Sequence, residues 1–291
     1  MEETKNTNVS VEILERLKSL DNLPHFPETL LKIDREIANN PEITTEEIVD
    51  MVAQDSRLVA GLIQLANSAK YSFGQEIHDL NEAVVRIGFK ELGNLAHAIH
   101  FQSSFKRKPP FSDAHYLKHS LLSAFLAQEL AKVLKVDPGM AFLSALMRDI
   151  GIYLLAIDDR DKYIEVIKLA NYDIAKLPSA ANKMFGTYHA LMSARLLQDW
   201  KFPNEVVVGV AFHHTPEKAP AAYQNFAHLT FLAEYGVFRL GYENGVADIS
   251  DEERVSPSKY SLASLKYFNL TIEQFDELIN KAAQDIENIG L

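Results

Sequence analysis

Apolar residues recur along the chain at intervals of three and four, as in Leu80, Ala83, Val84 and Ile87. That spacing puts them on one face of an α-helix. Alternating β-branched runs between turn signals, the mark of a half-buried strand, are nearly absent. The pattern predicts an all-α protein. Helix starts are marked as well: Pro27 stands at a first helical position, Thr44 and Glu47 match a capping box, and Asp79 precedes the stripe that begins at Leu80. Helices are expected over 8–21, 28–38, 45–54, 56–69, 79–87 and 89–103, then over 113–135, 138–157, 159–170, 187–200, 203–214, 222–241 and 271–288.

The first six are short and closely connected, as successive helical hairpins would be. The later ones are longer. Between the two groups lies SFKRKPPFS, residues 104–112, the best boundary, so a helical subdomain over 1–105 and a second over 112–291 are expected. Residues 244–259 are polar and acidic and contain Pro257, which reads as a surface loop. No repeat of solenoid length brings similar residues into register.

Composition narrows the chemistry. The chain has 291 residues, 29 Lys plus Arg against 40 Asp plus Glu, a net charge of -11 and no cysteine. Disulfides, thiolate metal sites and cysteine nucleophiles are therefore excluded, and any metal must be held by His, Asp or Glu. The acidic balance opposes binding to nucleic acid phosphates. Lys106-Arg107-Lys108, followed by Pro109-Pro110, reads as a solvated linker. The start of the chain lacks the basic-then-apolar order of a secretory signal, and polar groups interrupt even the richest apolar stretches, so a cytoplasmic protein without a membrane span is expected.

Eight of the ten histidines fall between His97 and His228. His115 and His119 are four apart on one predicted helix and so share a face. Arg148-Asp149 interrupts a strongly apolar stretch, where an unpaired charge is costly and partners are needed. His189 stands in a later helix, His213-His214 end another, and Glu234 lies in an apolar helix beyond. Imidazole and carboxylate gathered from several helices are what a divalent cation requires. The candidate ligands are His115, His119, Asp149, His189, His213, His214 and Glu234, with Arg148 as the charge among them. His97, His100 and Trp200 read as packing residues, and His228, six positions before Glu234 and so not quite on the same helical face, reads as packing or as a further pocket residue. No nucleophile elbow and no glycine-rich phosphate loop is found.

Ordered motifs add a family resemblance. Leu23-Pro24-His25-Phe26-Pro27, Glu47-Ile48, Gln54-Asp55, the LANSAKY run from Leu65 to Tyr71, the LNEAVVRIG run from Leu80 to Gly88, SLLSAFLAQELA and FLSALMRDIG resemble the HDOD family. The order of His and Asp residues in the second half resembles the HD superfamily of metal-dependent phosphohydrolases. The resemblance implies an N-terminal helical bundle joined to a degenerate HD-like helical domain, of a kind found mainly in bacterial signalling proteins and mostly non-enzymatic. It implies action through a protein partner or a small anionic or nucleotide ligand. If a metal is held, iron, manganese, zinc or nickel is expected. Within LANSA, the residues themselves suggest packing: Ala66, Ser68 and Ala69 allow close helix contact, and Asn67 satisfies backbone groups at a helix end.

Carried over by position, His119, Asp149, His189, His213 and His214 keep metal-ligand types. His115 stands where related cyclic-dinucleotide hydrolases often have glutamate, Glu234 replaces a usual aspartate, and Arg148 replaces the histidine of the His-Asp doublet. Ile152 stands where those hydrolases carry a phosphate-contacting lysine, and TPEKAP after His214 lacks their Gly-Tyr-Pro element. Arginine has no lone pair to donate and keeps its charge, so Arg148 is both a missing ligand and a cation set against any metal. A non-catalytic signalling module is the expectation, with a phosphohydrolase of altered site as the alternative. The direction of Arg148 separates them: toward Asp149 and Glu234 in the first, into an open cleft in the second.

Overall fold

A computed structural model of the chain describes residues 2–20, 23–24, 28–72, 74–105 and 107–287. Among these, regular structure is helical, and the one β-type pairing is an isolated parallel bridge between Asp173 and Asp248. His25, Phe26, Pro27 and Lys106, used above as sequence markers, lie outside the described residues. The chain divides into two compact units, residues 24–106 with 284–291, and residues 1–23 with 107–283.

Helix α1 (Glu2–Ser19), which the sequence groups with the N-terminal part, belongs to the second unit. Its buried Ile13, Leu14 and Leu17 explain why, since an amphipathic helix goes where its apolar stripe is covered. Arg16 adds a two-pronged ion pair to Asp158 at 2.7 and 2.6 Å, and the Ser10 and Thr187 hydroxyls meet at 2.6 Å.

The first unit holds α2 (Glu28–Asn39), α3 (Thr45–Val52), α4 (Ser56–Ala66), α5 (Leu80–Ile87) and α6 (Phe89–Ser103). The starts follow the local signals: Thr44 and Glu47 form a full capping box, and Asp55 and Asp79 each accept a backbone N–H at the start of α4 and α5. Gly88, with φ of 81°, joins α5 to α6 in a conformation that a side chain would strain. Asn67 ends α4. Its side-chain amide donates to the Ile63 and Ile77 carbonyls at 3.1 and 2.7 Å and accepts the Ile77 N–H at 2.8 Å.

The second unit continues with α7 (Asp113–Leu134), α8 (Pro138–Met147), α9 (Ile150–Asp158), α10 (Arg160–Ala170), α11 (Leu177–Phe185), α12 (His189–Asp199), α13 (Asn204–Phe212), α14 (Gln224–Arg239), α15 (Asp251–Val255), α16 (Lys259–Tyr267) and α17 (Ile272–Glu287). The single helix expected over 138–157 is broken at Arg148-Asp149. Ser193 takes up groups near the break, accepting the Gly151 N–H and donating to the Arg148 carbonyl, both at 2.8 Å. A Cβ on Gly151 would lie 2.1 Å from the His189 carbonyl oxygen, so only glycine lets the start of α9 meet the start of α12. The stretch Pro138–Asp158 has the length and apolar content of a membrane crossing, but 94% of its most apolar window is buried within the protein. It is a core layer.

The loop expected over 244–259 is instead a packed wall. Val246, Ala247 and Ile249 are buried, and Asn244 turns the chain by accepting the Val246 and Ala247 N–H groups. Ser250 caps α15, and Arg254 pairs with Asp248 and donates to the Phe238 carbonyl. Helices α11, α15 and α16 lie outside the expected set: α15 is too short and polar for an apolar stripe, while α11 buries Leu177, Ala180, Ala181 and Phe185 at helical spacing over only nine residues.

Candidate functional site

The break between α8 and α9 points two consecutive charges inward. Arg148 is 0% exposed. Its Nη1 donates to the Ala145 carbonyl at 2.9 Å, its Nη2 lies 3.1 Å from Asp149 Oδ2, and its Nε lies 3.4 Å from Glu234 Oε1 on α14. One guanidinium therefore sits between two buried carboxylates. Burial favours the neutral form of both acids, yet the Arg148 charge holds Asp149 below the usual carboxylate range. Glu234 is farther from Arg148 and repelled by Asp149. Desolvation raises it to about 7.

The other oxygen of Asp149 faces histidines. Oδ1 lies 3.6 Å from His189 Nε2 and 3.9 Å from His213 Nε2 and accepts no hydrogen bond. The Nδ1–H of His213 donates to the Val210 carbonyl at 2.7 Å, which leaves its Nε2 as a lone pair. Two acceptors thus face each other with no donor between them. His189 Nε2 and His214 Nε2 share a proton at 2.7 Å. Desolvation pushes His213 down to about 4 and, with mutual repulsion, pushes His189 and His214 well below the usual imidazole value. All three are neutral near pH 7, the form that binds metal.

One ligand atom from each of His189, His213 and His214 lies within 4.8 Å of the others. These three nitrogens are close enough together for one divalent ion, and Asp149 Oδ1 lies beside two of them. The Nδ1–H of His213 on a backbone carbonyl is the outer hydrogen bond that orients a metal-binding imidazole. The opposite side of Asp149 is filled by the guanidinium.

His119 on α7 stands beside this arrangement. Its Nδ1–H donates to the Tyr242 carbonyl at 2.9 Å, its Nε2 is buried without a hydrogen bond, and desolvation followed by the Arg148 charge lowers it to about 3. His115 is placed elsewhere. It is half exposed and pairs with Glu243 at 2.9 Å. Four residues advance a helix by about 6 Å, so a shared face does not bring both rings to one centre. Of the seven candidate ligands, the structure gathers Asp149, His189, His213, His214, Glu234 and His119, and leaves His115 at the surface.

Residues that the sequence reading passed over complete the surroundings. Tyr116 and Tyr163 are buried and held well above the usual phenol range by desolvation and by the charge of Asp149. No motif marks them. A cavity of about 400 Å³ opens against His214 and Glu234, with Ile174 and Pro178 on one wall and Ile249 and Tyr260 on another. Arg148 is not part of its lining. His228 stacks on Tyr267 at 4.1 Å and bonds Ser264 at 2.9 Å, away from the histidine cluster and the cavity lining, and His97 bonds Asp34 at 2.7 Å.

The HDOD domain model matches residues 23–216. An uncharacterized protein of Treponema pallidum (strain Nichols) is 27% identical over 229 residues, which is 76% of this chain and 43% of that protein, so the chain spans less than half of that relative's length. The fold superposes on an HDOD domain protein with unknown function from Geobacter sulfurreducens with a TM-score of 0.79, at 20% identity, covering 98% of this chain and 95% of the other. It superposes on a "Putative phosphohydrolase" from Shewanella amazonensis SB2B with a TM-score of 0.71, at 25% identity, covering 94% and 96%.

Proposed function

Since the chain belongs to the HDOD domain family, we propose that it is a regulatory module that binds a protein partner or a small ligand and does not hydrolyse phosphoesters. The observation that carries this reading is the direction of Arg148, buried between Asp149 and Glu234. Metal-dependent attack on phosphorus depends on cations that activate water and offset transition-state charge, often as an adjacent pair. Here a fixed positive charge takes one side of Asp149. A divalent ion within ~5 Å of it is opposed by roughly 7 kcal/mol at an effective dielectric of about 20. Arg148 is also fully buried and does not line the cavity, which argues against its serving as a clamp on a substrate phosphate.

Purified protein incubated with manganese or iron(II) and bis(p-nitrophenyl) phosphate is expected to show the same background as the Asp149→Asn variant. Turnover that vanishes in Asp149→Asn overturns the reading.

One observation favours the phosphohydrolase alternative, the donor set of His189, His213 and His214, with Asp149 Oδ1 beside two of them. These residues would hold a single ion, and that ion when bound supplies an acidified water. Elemental analysis of protein prepared without chelator, beside Asp149→Ala, reads this directly. A metal present in the first and lost in the second establishes the ion, and the turnover assay then decides whether it does chemistry.

A further inference from the structure

The cavity beside the buried charges has the size of a small-molecule site, and its lining is chemically one-sided. Four aromatic side chains face it, Phe231, Tyr235, Phe238 and Tyr260, and two carboxylates, Glu234 and Glu253. No lysine or arginine lines it. Glu234 lies 3.4 Å from Arg148, a single cation that Asp149 also uses. Glu253 differs: its Oε1 accepts the Ser261 hydroxyl at 3.0 Å, and among the described residues no ion pair involves it. A half-buried carboxylate with a neutral partner leaves unbalanced negative potential in the cavity. The faces of aromatic rings carry negative potential as well.

The walls are built rather than loosely apposed. The Ile174 N–H donates to the Asp248 carbonyl at 3.0 Å and the Asp248 N–H to the Tyr172 carbonyl at 2.9 Å, which ties the wall that leads into α11 to the wall that leads into α15. The Tyr235 hydroxyl donates to the Glu253 carbonyl at 3.2 Å. Arg239, whose guanidinium stands 5.7 Å from the centre of the Tyr235 ring, is held by Asp276 at 2.6 and 2.8 Å and is not in the lining.

From this we infer that the cavity binds a small organic cation, an ammonium group carrying apolar substituents, with the aromatic faces around the substituents and Glu253 facing the charge. Phosphate-bearing ligands are disfavoured there, because the lining itself presents two carboxylates and neither lysine nor arginine, and Lys259 stands over the Tyr260 ring at 4.9 Å as the cation beside it. The inference rests on the reading of the chain as a binding module, to which it gives a ligand class.

Choline and its uncharged isostere 3,3-dimethyl-1-butanol are the probes, titrated into the full chain and followed by protein amide shifts. Choline is expected to bind at least about tenfold more tightly than the alcohol, a ratio in keeping with desolvated cation–aromatic contacts. Glu253→Gln is expected to remove most of that preference while leaving the alcohol unchanged. Ser179→Lys, at an exposed position on the rim, adds a cation without touching the core and should weaken choline by a similar factor while sparing the alcohol. Equal affinity for the two probes, no shift at the cavity residues with either, or choline binding that ignores both substitutions overturns the inference. The phosphoester assay reads the functional proposal separately. Turnover with choline bound sinks only that proposal, and a silent protein blind to charge sinks only this one.

Discussion

Each unit contains a buried or half-buried polar centre, and the two are finished differently. In the first, the Asn67 amide meets the Ile63 carbonyl and both backbone groups of Ile77, so its donors and its acceptor all have partners. In the second, Asp149 Oδ1, His213 Nε2 and His119 Nε2 are buried with no hydrogen bond. An unsatisfied buried polar atom costs about 1–3 kcal/mol. A centre that only closes a loop has no reason to carry such costs, and the Asn67 amide carries none. Around Asp149, acceptors face one another and no donor among the described residues meets them.

The largest expected effect falls on the charge that keeps the second centre stable. Arg148→Ala leaves two carboxylates buried without their cation, which should cost about 3–5 kcal/mol in urea unfolding. A loss under about 1 kcal/mol would mean that Arg148 is dispensable and that the contrast between the centres is misdrawn. Asn67→Ala strands the Ile77 N–H and carbonyl and should cost about 1–3 kcal/mol without altering metal content or choline binding. An effect on either ligand would make Asn67 more than a loop closure.

The remaining effect is one of slope. Glu234 is raised to about 7 in the folded protein, above its unfolded value near 4.3, so its contribution is fully present below the unfolded value and is lost as pH rises toward 7. Glu234→Gln should remove that loss, at most about 1.4 kcal/mol per pH unit, between about pH 4.3 and 7. His119 and His213 act with the opposite sign, because their folded values of about 3 and about 4 lie below the unfolded one, and they withdraw stability as pH falls below about 6.5. A profile unchanged by Glu234→Gln would mean that another group carries this titration.

Much of the fold is legible locally. The capping box at Thr44 and Glu47, the Asp79 start and the end of α4 at Asn67 depend on residues a few positions apart, so a linear reading finds them. The break at Arg148-Asp149 does not announce itself in the same way. Apolar residues continue on both sides, and Ser193 on α12, which meets the backbone groups near the break, stands more than forty positions away. The segment 244–259 misleads for the converse reason. Its charges look solvated in sequence, but Arg254 is turned onto Asp248 and the Phe238 carbonyl, leaving Ile249 to face the cavity.

The sequence by itself determined that the protein is helical, that its motifs are those of the HDOD family, and that any metal would be held by histidine and carboxylate, since periodicity, motif order and the absence of cysteine are properties of the chain alone. Which histidine of the pair 115 and 119 turns inward, and whether Arg148 reaches a cleft or a carboxylate, only the tertiary structure decided. A charged side chain takes its direction from the charges and carbonyls that distant helices bring to it, and Glu234 reaches Arg148 only after α14 has packed.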